Sequence, residues 1–284
     1  MPEDTLELEV VAPSAVMALE RAAIDSQIAT AKQYPRSLSV FQKRALEMVT
    51  LDEETAESCI YIRPVGKGKD GKQQYAEGAS IRLAEIVAAC YGNLRVASRI
   101  VEQTPRYVKC EGVAHDLESN YAGKAENMEA TVTREGAPFG EAMRAVVAKA
   151  ALAKAYRDAV FKVVPKALCK KIIDSAKATS KGDGKTLELR RAKAQQWVAT
   201  LKVKGGKALD EKRVFAALGV KGWADCGDDE LFTLAGLRTS INDSDVTVDD
   251  AFPAPDASVP KSSKPVDPFQ KPAVDPDNPE SYQQ

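Results

Sequence analysis

Residues 66–73 read GKGKDGKQ and contain residue types that bind phosphate. The glycines fit the dinucleotide-binding spacing G-x-G-x-x-G, and residues 66–72 fit the first seven positions of the Walker loop, G-x-x-x-x-G-K. Both motifs need a helix that starts where the glycines end, so that its amides point at the phosphate. Gln73 stands where the Walker loop needs Ser or Thr, and the next helix start is near Ser80. We therefore expect a hairpin turn or loop at Asp70-Gly71, and no nucleotide site.

Other residues that could do chemistry are few. His115 is the only histidine, which removes most histidine-based metal sites and histidine-activated nucleophiles. No E-x-K triplet occurs, so the usual strand-borne ending of a two-metal nuclease site is missing. The five cysteines form no C-x-x-C pair and indicate neither a zinc site nor a disulfide framework. We predict no catalytic residues, no metal, no cofactor and no enzymatic activity.

Hydrophobic periodicity predicts an α+β fold. The expected architecture is a small antiparallel β-meander packed with helices, one of them long and basic, followed by a helical C-terminal module and a disordered tail. Strands are predicted at residues 59–63, 94–102, 107–116 and 127–134, with residues 118–126 as a polar connection. Helices are predicted at residues 14–33, from about 37, at 80–90, 141–164, 166–178, 187–203, 210–218 and 229–241.

The formal net charge of −1 conceals an uneven distribution. Residues 243–284 hold nine acids and three lysines, a net −6, which leaves +5 on the rest of the chain. A basic body with an acidic tail suggests a polyanionic partner for the body. No run of about twenty apolar residues and no leader peptide is seen, so we expect a non-secreted protein with no membrane contact.

The cations concentrate in the long predicted helix. Residues 144–171 contain eight cations and one acid, Asp158. Leu152, Tyr156, Val160 and Val163 form an apolar stripe on this helix, and Lys154 and Arg157 are expected on a different, exposed side. Further cations on the first two strands of the meander, with Tyr107 for stacking, complete a pattern typical of a groove that follows a nucleic-acid backbone.

Two segments resemble the RecT and Red-beta type of phage single-strand annealing recombinase. CIYIRPVGKGKDGKQQYAEGASIRLAEIVAACYGNLRVASRIV looks like the strand, loop and helix that lead into the sheet of that family. MRAVVAKAALAKAYRDAVFKVVPKA looks like its long basic helix that ends at a proline. The resemblance covers about residues 51–178 and rests on the order and character of the elements.

The resemblance implies binding of single-stranded DNA without ATP, annealing of complementary strands, and assembly into homo-oligomeric rings or helices. It also implies action in the cytoplasm of a bacterial host, with a phage exonuclease and a host single-strand-binding protein as further partners. The matching candidates for DNA contacts are Arg95, Arg99, Lys109, Arg144, Lys149, Lys154, Arg157, Lys162 and Lys166.

The predicted organisation has four parts. Residues 1–50 hold N-terminal helices for oligomer contacts, 51–180 the annealing core, 185–250 a partner-binding helical module, and 251–284 a disordered, acidic, proline-rich tail. Two alternatives stay open: a scaffold protein whose basic helix packs on an acidic neighbour, and a nucleotide-dependent enzyme that uses residues 66–72.

Overall fold

The protein has an α+β fold in a computed structural model that describes residues 13–68, 72–133, 136–182 and 186–254. Two antiparallel sheets, one of two strands and one of three, are combined with helices that dominate the C-terminal part. The elements are α1 Pro13–Gln33, α2 Leu38–Val49, α3 Glu53–Ser58, β1 Ile60–Lys67, β2 Gln73–Ala79, α4 Ile81–Tyr91, β3 Leu94–Gln103, β4 Tyr107–Asp116, β5 Tyr121–Ala130, α5 Glu141–Val163, α6 Lys166–Ser180, α7 Leu187–Thr200, α8 Glu211–Leu218, α9 Asp228–Asn242 and α10 Val248–Ala251.

Side-chain caps start α2, α3 and α4, and the starts of α2 and α4 agree with the prediction. Ser37, Asp52 and Ser80 accept hydrogen bonds from backbone amides of the first turns of α2, α3 and α4. Gly92 follows α4 with a φ of 72°, a value that glycine adopts without the strain a side chain would bring. These local signals fix where α4 ends and where the meander begins.

The meander pairs β3 with β4 and β4 with β5, all antiparallel. The third strand was predicted at residues 127–134, and this position is wrong, because β5 begins at Tyr121 inside the segment interpreted as a polar connection. The residues of β5 that face the core include Gly123 and Ala125, and both are buried. Small inward residues give a weak alternation of hydrophobicity, which is why the sequence pattern missed the start of this strand.

Helix α5 lies directly on this sheet through a row of alanines. Ala151, Ala155 and Ala159 are completely buried against β4 and β5. A Cβ on Gly112 of β4 would lie 2.0 Å from the carbonyl oxygen of Ala155, so the helix backbone touches the strand backbone. Tyr156 and Val160 of the predicted apolar stripe do not face the sheet. They pack in the larger hydrophobic core that α5 shares with α2 and α4. Small residues therefore determine the distance between helix and sheet.

The hairpin β1–β2 packs on α9 and joins the C-terminal helices to the main core. Ser240 of α9 donates a hydrogen bond to the carbonyl oxygen of Ile62, and a Cβ on Gly236 would meet the Ile62 side chain at 2.4 Å. One hydrophobic cluster runs from Phe41 to Phe252. Ala251 and Phe252, predicted as the start of the disordered tail, are completely buried, and residues 255–284 of that predicted tail lie outside the described residues.

The side chain of Arg190 in α7 binds the ends of three other helices, α3, α6 and α9. Its side chain is 4% exposed and its guanidinium pairs with Glu53 of α3 at 2.6 Å and with Asp228 of α9 at 2.9 Å. It also donates hydrogen bonds to the carbonyl oxygens of Ser180 and Lys181, where α6 ends. A buried charge with two acidic partners and two carbonyl acceptors stabilises the structure only while the set is complete.

None of the helices in the described ranges is long and apolar enough to span a membrane.

Candidate nucleic-acid interface

The three-stranded sheet has one packed side and one open side. Directly paired residues share a side, so the register assigns Arg95 and Arg99 of β3, Lys109 of β4 and Lys124 of β5 to the side opposite α5. We call this side the outer sheet face. The exposed fractions of the Arg99 and Lys124 side chains are 74% and 58%. Three predicted contact residues are thus brought together on one surface, and Lys124 was not among the predicted set.

Carboxylates neutralise much of the charge on the outer sheet face. The Glu111 carboxylate of β4 binds Arg99 through one oxygen at 3.0 Å and Lys124 through the other. Lys124, and after it Arg99, holds the pKa of Glu111 below its ordinary value despite the opposing effect of desolvation. Lys109 pairs with Glu126 at 2.8 Å, which raises the pKa of Lys109. The face is a lattice of alternating charges and not an uninterrupted basic patch.

Lys154 and Arg157 are not on an exposed side of α5, which corrects the expectation from the sequence. Their side chains are 16% and 15% exposed, and both pair with Asp245, which follows α9. Lys154 also binds Glu129 at 2.8 Å, and Arg157 lies over the Tyr61 ring at 5.1 Å. Arg157 also pairs with Asp158 of α5 at 3.0 Å, and β5 and the C-terminal region supply the other acids. Both residues tie α5 to its neighbours.

The remaining predicted cations of the helical region are scattered. Lys149 and Lys166 are exposed, and no ion pair is found for either within the described residues. Arg144 is half-buried, and its Nε has no hydrogen-bond partner within the described chain. Lys162 is exposed and donates a hydrogen bond to the carbonyl oxygen of Lys124 at 2.7 Å. Lys162 therefore reaches the backbone of the edge strand β5 from the side of α5.

Arg95 lies where the N-terminal helix meets the sheet. Its guanidinium donates to the side-chain oxygen of Gln27 in α1 at 3.1 Å. Arg36, in the connection between α1 and α2, binds Glu118 at 2.8 Å as well as Asp116, and stacks on Tyr91 at 3.9 Å. These contacts anchor the connection firmly, whereas Arg95 keeps a single neutral partner.

Lys124 and Glu111 are the functional candidates that the sequence did not single out. Lys124 was missed because its segment was assigned to a connection, and a strand from Tyr121 would have placed it beside Val113 on the outer sheet face. Glu111 was missed because it lies in an otherwise apolar stretch of β4. The sequence signal for it is an acidic residue between buried neighbours on a strand, because such an acid is seldom buried unless a cation pairs with it.

The glycine-rich stretch does not precede a helix. Strands β1 and β2 flank it as an antiparallel pair, with Lys67 opposite Gln73, and the next helix, α4, begins at Ile81. The Gly68 amide donates to the carbonyl oxygen of Lys72, and the Gln73 side chain donates to that of Gly66. The predicted turn at Asp70-Gly71 lies outside the described residues. Backbone groups beside the turn are thus used to close the hairpin.

The acids that offset the basic charge are distributed along the chain differently from the expectation. Asp243, Asp245 and Asp249 belong to the described C-terminal region and pair with Arg82, Lys154 and Arg213. Residues 255–284 then hold five acids and three lysines, a net −2, and residues 1–12 hold four acids and no cation, a net −4. This leaves +5 for residues 13–254, so the acidic excess lies at both ends of the sequence. The predicted division of +5 and −6 counted Asp243, Asp245, Asp249 and Asp250 with the tail, although they lie in the described C-terminal region.

Within the described part of the chain, no group of three or more His, Cys, Asp or Glu residues is placed to hold a metal ion. Comparison of the chain with protein-family models, with curated proteins and with solved structures gave no match.

Proposed function

We propose that this protein binds single-stranded DNA across the outer sheet face and the adjoining end of α5, and that it anneals complementary strands without ATP. The observation that carries the proposal is that Arg95, Arg99, Lys109 and Lys124 stand together on the side of the sheet that α5 leaves open. Lys162 adds an exposed cation at the β5 edge of the sheet, on the side of α5. Such a surface can follow a phosphate backbone, while half-exposed Tyr107 offers a ring for base stacking.

The order of elements gives further support. The resemblance to annealing recombinases implies a fixed order of elements. The structure contains, in sequence, a hairpin, a helix, a three-stranded meander and a long helix that ends before Pro165, which is compatible with that order. The same resemblance extends the proposal to homo-oligomers, to an exonuclease and a single-strand-binding protein as partners of residues 185–250, and to the bacterial cytoplasm. Helix α1 fits a role in oligomer contacts, because Met17 and Leu19 are 71% and 69% exposed.

A salt titration of oligonucleotide binding tests the DNA contact. With three to five phosphates neutralised, the logarithm of the affinity should fall against the logarithm of salt concentration with a slope of about −2 to −3.5. The double variant Arg99→Ala/Lys124→Ala should make this slope shallower by up to about 1.4 and weaken binding. Lys43→Ala/Lys212→Ala is the matched control, since both lysines are exposed and lie on α2 and α8.

Fluorescence anisotropy with a labelled oligonucleotide gives the slope, and a complementary unlabelled strand then tests annealing with and without ATP. A slope that is equal in both double variants would contradict the proposed surface. If the protein binds the oligonucleotide but does not accelerate annealing, the annealing part of the proposal is wrong and only DNA binding is supported.

The second candidate function is that of a scaffold protein without a DNA role. It is favoured by the internal pairing of Lys154 and Arg157 and by the carboxylates that neutralise cations of the outer sheet face. In that case wild-type protein shows no binding to oligonucleotides even at about 0.01 M salt, where screening is weakest.

A further inference from the structure

Glu111 occupies an anion position at the centre of the outer sheet face. It lies on the middle strand, and each of its two carboxylate oxygens binds a different cation, Arg99 through Oε1 and Lys124 through Oε2. The arginine approaches with both Nε and Nη2, at 3.2 and 3.0 Å. A tetrahedral phosphate offers the same chemistry, an anion with several oxygens that can accept from an arginine fork and a lysine together.

Strand pairing alone does not explain an acid at this position. Glu111 stands directly opposite Glu126 of β5, and like charges in directly opposed positions destabilise a sheet. The Glu111 side chain is 4% exposed because its two cations cover it, while both of these cations remain largely accessible to solvent. These two cations are therefore open to solvent, in contrast to Lys154 and Arg157, whose side chains are largely buried.

We infer that Glu111 is an internal competitor of the DNA backbone: its carboxylate fills the position between Arg99 and Lys124 that a phosphate of single-stranded DNA takes when it binds. The inference rests on the proposed function. It makes Glu111 a residue that limits affinity and that orders the two cations in the free protein. Binding exchanges one anion for another, so Arg99 and Lys124 contribute less to the salt dependence than freely solvated cations do.

The variant Glu111→Gln removes the competing charge and keeps the size of the side chain and an acceptor for Arg99. We expect its affinity for a single-stranded oligonucleotide to rise about fivefold, which corresponds to one unit-charge repulsion at close range in water. The salt slope should become steeper by about 0.7, since the single charge of Glu111 neutralises one of the two cations in the free protein. Glu188→Gln removes the same charge from a side chain that is 83% exposed on α7, and it is the matched control.

The variant Glu111→Asp tests the bridge without any change in net charge. The carboxylate is withdrawn by one methylene, so it no longer reaches both cations, and affinity should rise in the same direction by a smaller factor. A third arm repeats Glu111→Gln in the Arg99→Ala/Lys124→Ala background, where the steeper slope should disappear because no cation is left to be freed. Thermal melting of each variant confirms that it is folded.

The outcomes separate the two proposals. If wild type binds and Glu111→Gln matches Glu188→Gln, or binds more weakly than wild type, Glu111 does not compete with phosphate and the inference is overturned. Weaker binding would assign Glu111 to holding Arg99 and Lys124 in place for DNA. If wild type does not bind oligonucleotides at low salt, the proposed function itself fails.

Discussion

Replacement of Gly112 by alanine should separate α5 from the sheet. The new Cβ would lie 2.0 Å from the carbonyl oxygen of Ala155 and 2.4 Å from its carbonyl carbon, both backbone atoms that cannot rotate away. The helix must then retreat by roughly 1 Å, which loosens the buried row of alanines on β4 and β5. Overpacking of a core costs about 1–3 kcal/mol and sometimes more, and contact with backbone puts this substitution at about 3 kcal/mol or above.

Two other glycines provide graded controls for this prediction. A Cβ on Gly123 of β5 would lie 2.7 Å from a terminal methyl of Val163, a side chain that can adjust, so Gly123→Ala should cost less. A Cβ on Gly140, just before α5, meets nothing within 4 Å, and its φ of −61° suits any residue. Gly140→Ala should therefore change stability by about 1 kcal/mol or less, mostly through the helix cap.

Thermal unfolding followed by circular dichroism measures the series. For a folded unit of this size, 1 kcal/mol shifts the melting temperature by about 2–4 °C, so Gly112→Ala should melt roughly 6–12 °C below wild type. Gly123→Ala should fall between Gly112→Ala and Gly140→Ala. A Gly112→Ala protein that melts within about 2 °C of wild type would show that α5 does not touch β4 as described.

Three further predictions follow from the packing and the charges. Arg190→Ala should destabilise the fold by about 3–5 kcal/mol in urea unfolding because it leaves two carboxylates without their cation, whereas Lys193→Ala on the exposed side of α7 should be neutral within about 0.5 kcal/mol. Truncation after Ala254 should leave the melting temperature unchanged, and further removal of the chain back through Phe252 should lower it, since that ring is completely buried. Lys72→Ala should leave oligonucleotide annealing intact and insensitive to ATP, and ATP hydrolysis that this change abolishes would restore the nucleotide-site hypothesis.

Local sequence signals predicted the boundaries of many elements correctly. Ser80 and Gly92 bracket α4 as a cap and a terminating glycine do, and Pro165 follows the end of α5. Each of these signals works through groups within a few residues of one another. For that reason they are visible in the sequence without knowledge of the tertiary structure.

Contacts made by small residues were not predictable in the same way. Ala155 and Gly112 carry the closest approach between helix and sheet, yet neither has enough apolar surface to stand out in a hydrophobic pattern. The start of β5 was missed for the same reason, because Gly123 adds nothing to the hydrophobic pattern. The position of Lys124 on this strand was therefore missed as well. Residues at a close contact between two backbones are glycine or alanine, which add little to a hydrophobic pattern. Such a segment therefore has the same weak pattern as a loop.

The acidic partners of the cations were the second feature that the sequence pattern did not predict. Arg157 pairs with Asp158 of α5, but the acids that bind Lys154 lie outside the helix, and Asp245 reaches both cations from the segment after α9. A net charge summed over one segment treats such acids as part of another region. Ion pairs in a folded chain join residues that are distant in sequence, so only the tertiary structure shows which cations are available.

The way in which each cation is neutralised favours the sheet over the helix for the proposed DNA contact. Arg99 and Lys124 share a counter-charge, Glu111, on an open face, where a phosphate can replace the carboxylate and the displaced acid returns to water. Lys154 is bound to Asp245 and Glu129 between packed elements, and a phosphate that recruited this lysine would take from both carboxylates a cation that they hold in a largely buried place, whereas Arg157 would remain beside Asp245 alone. Residues 13–254 carry a net charge of +5, and we propose that exchangeable pairs of the first kind allow this charge to attract a polyanion.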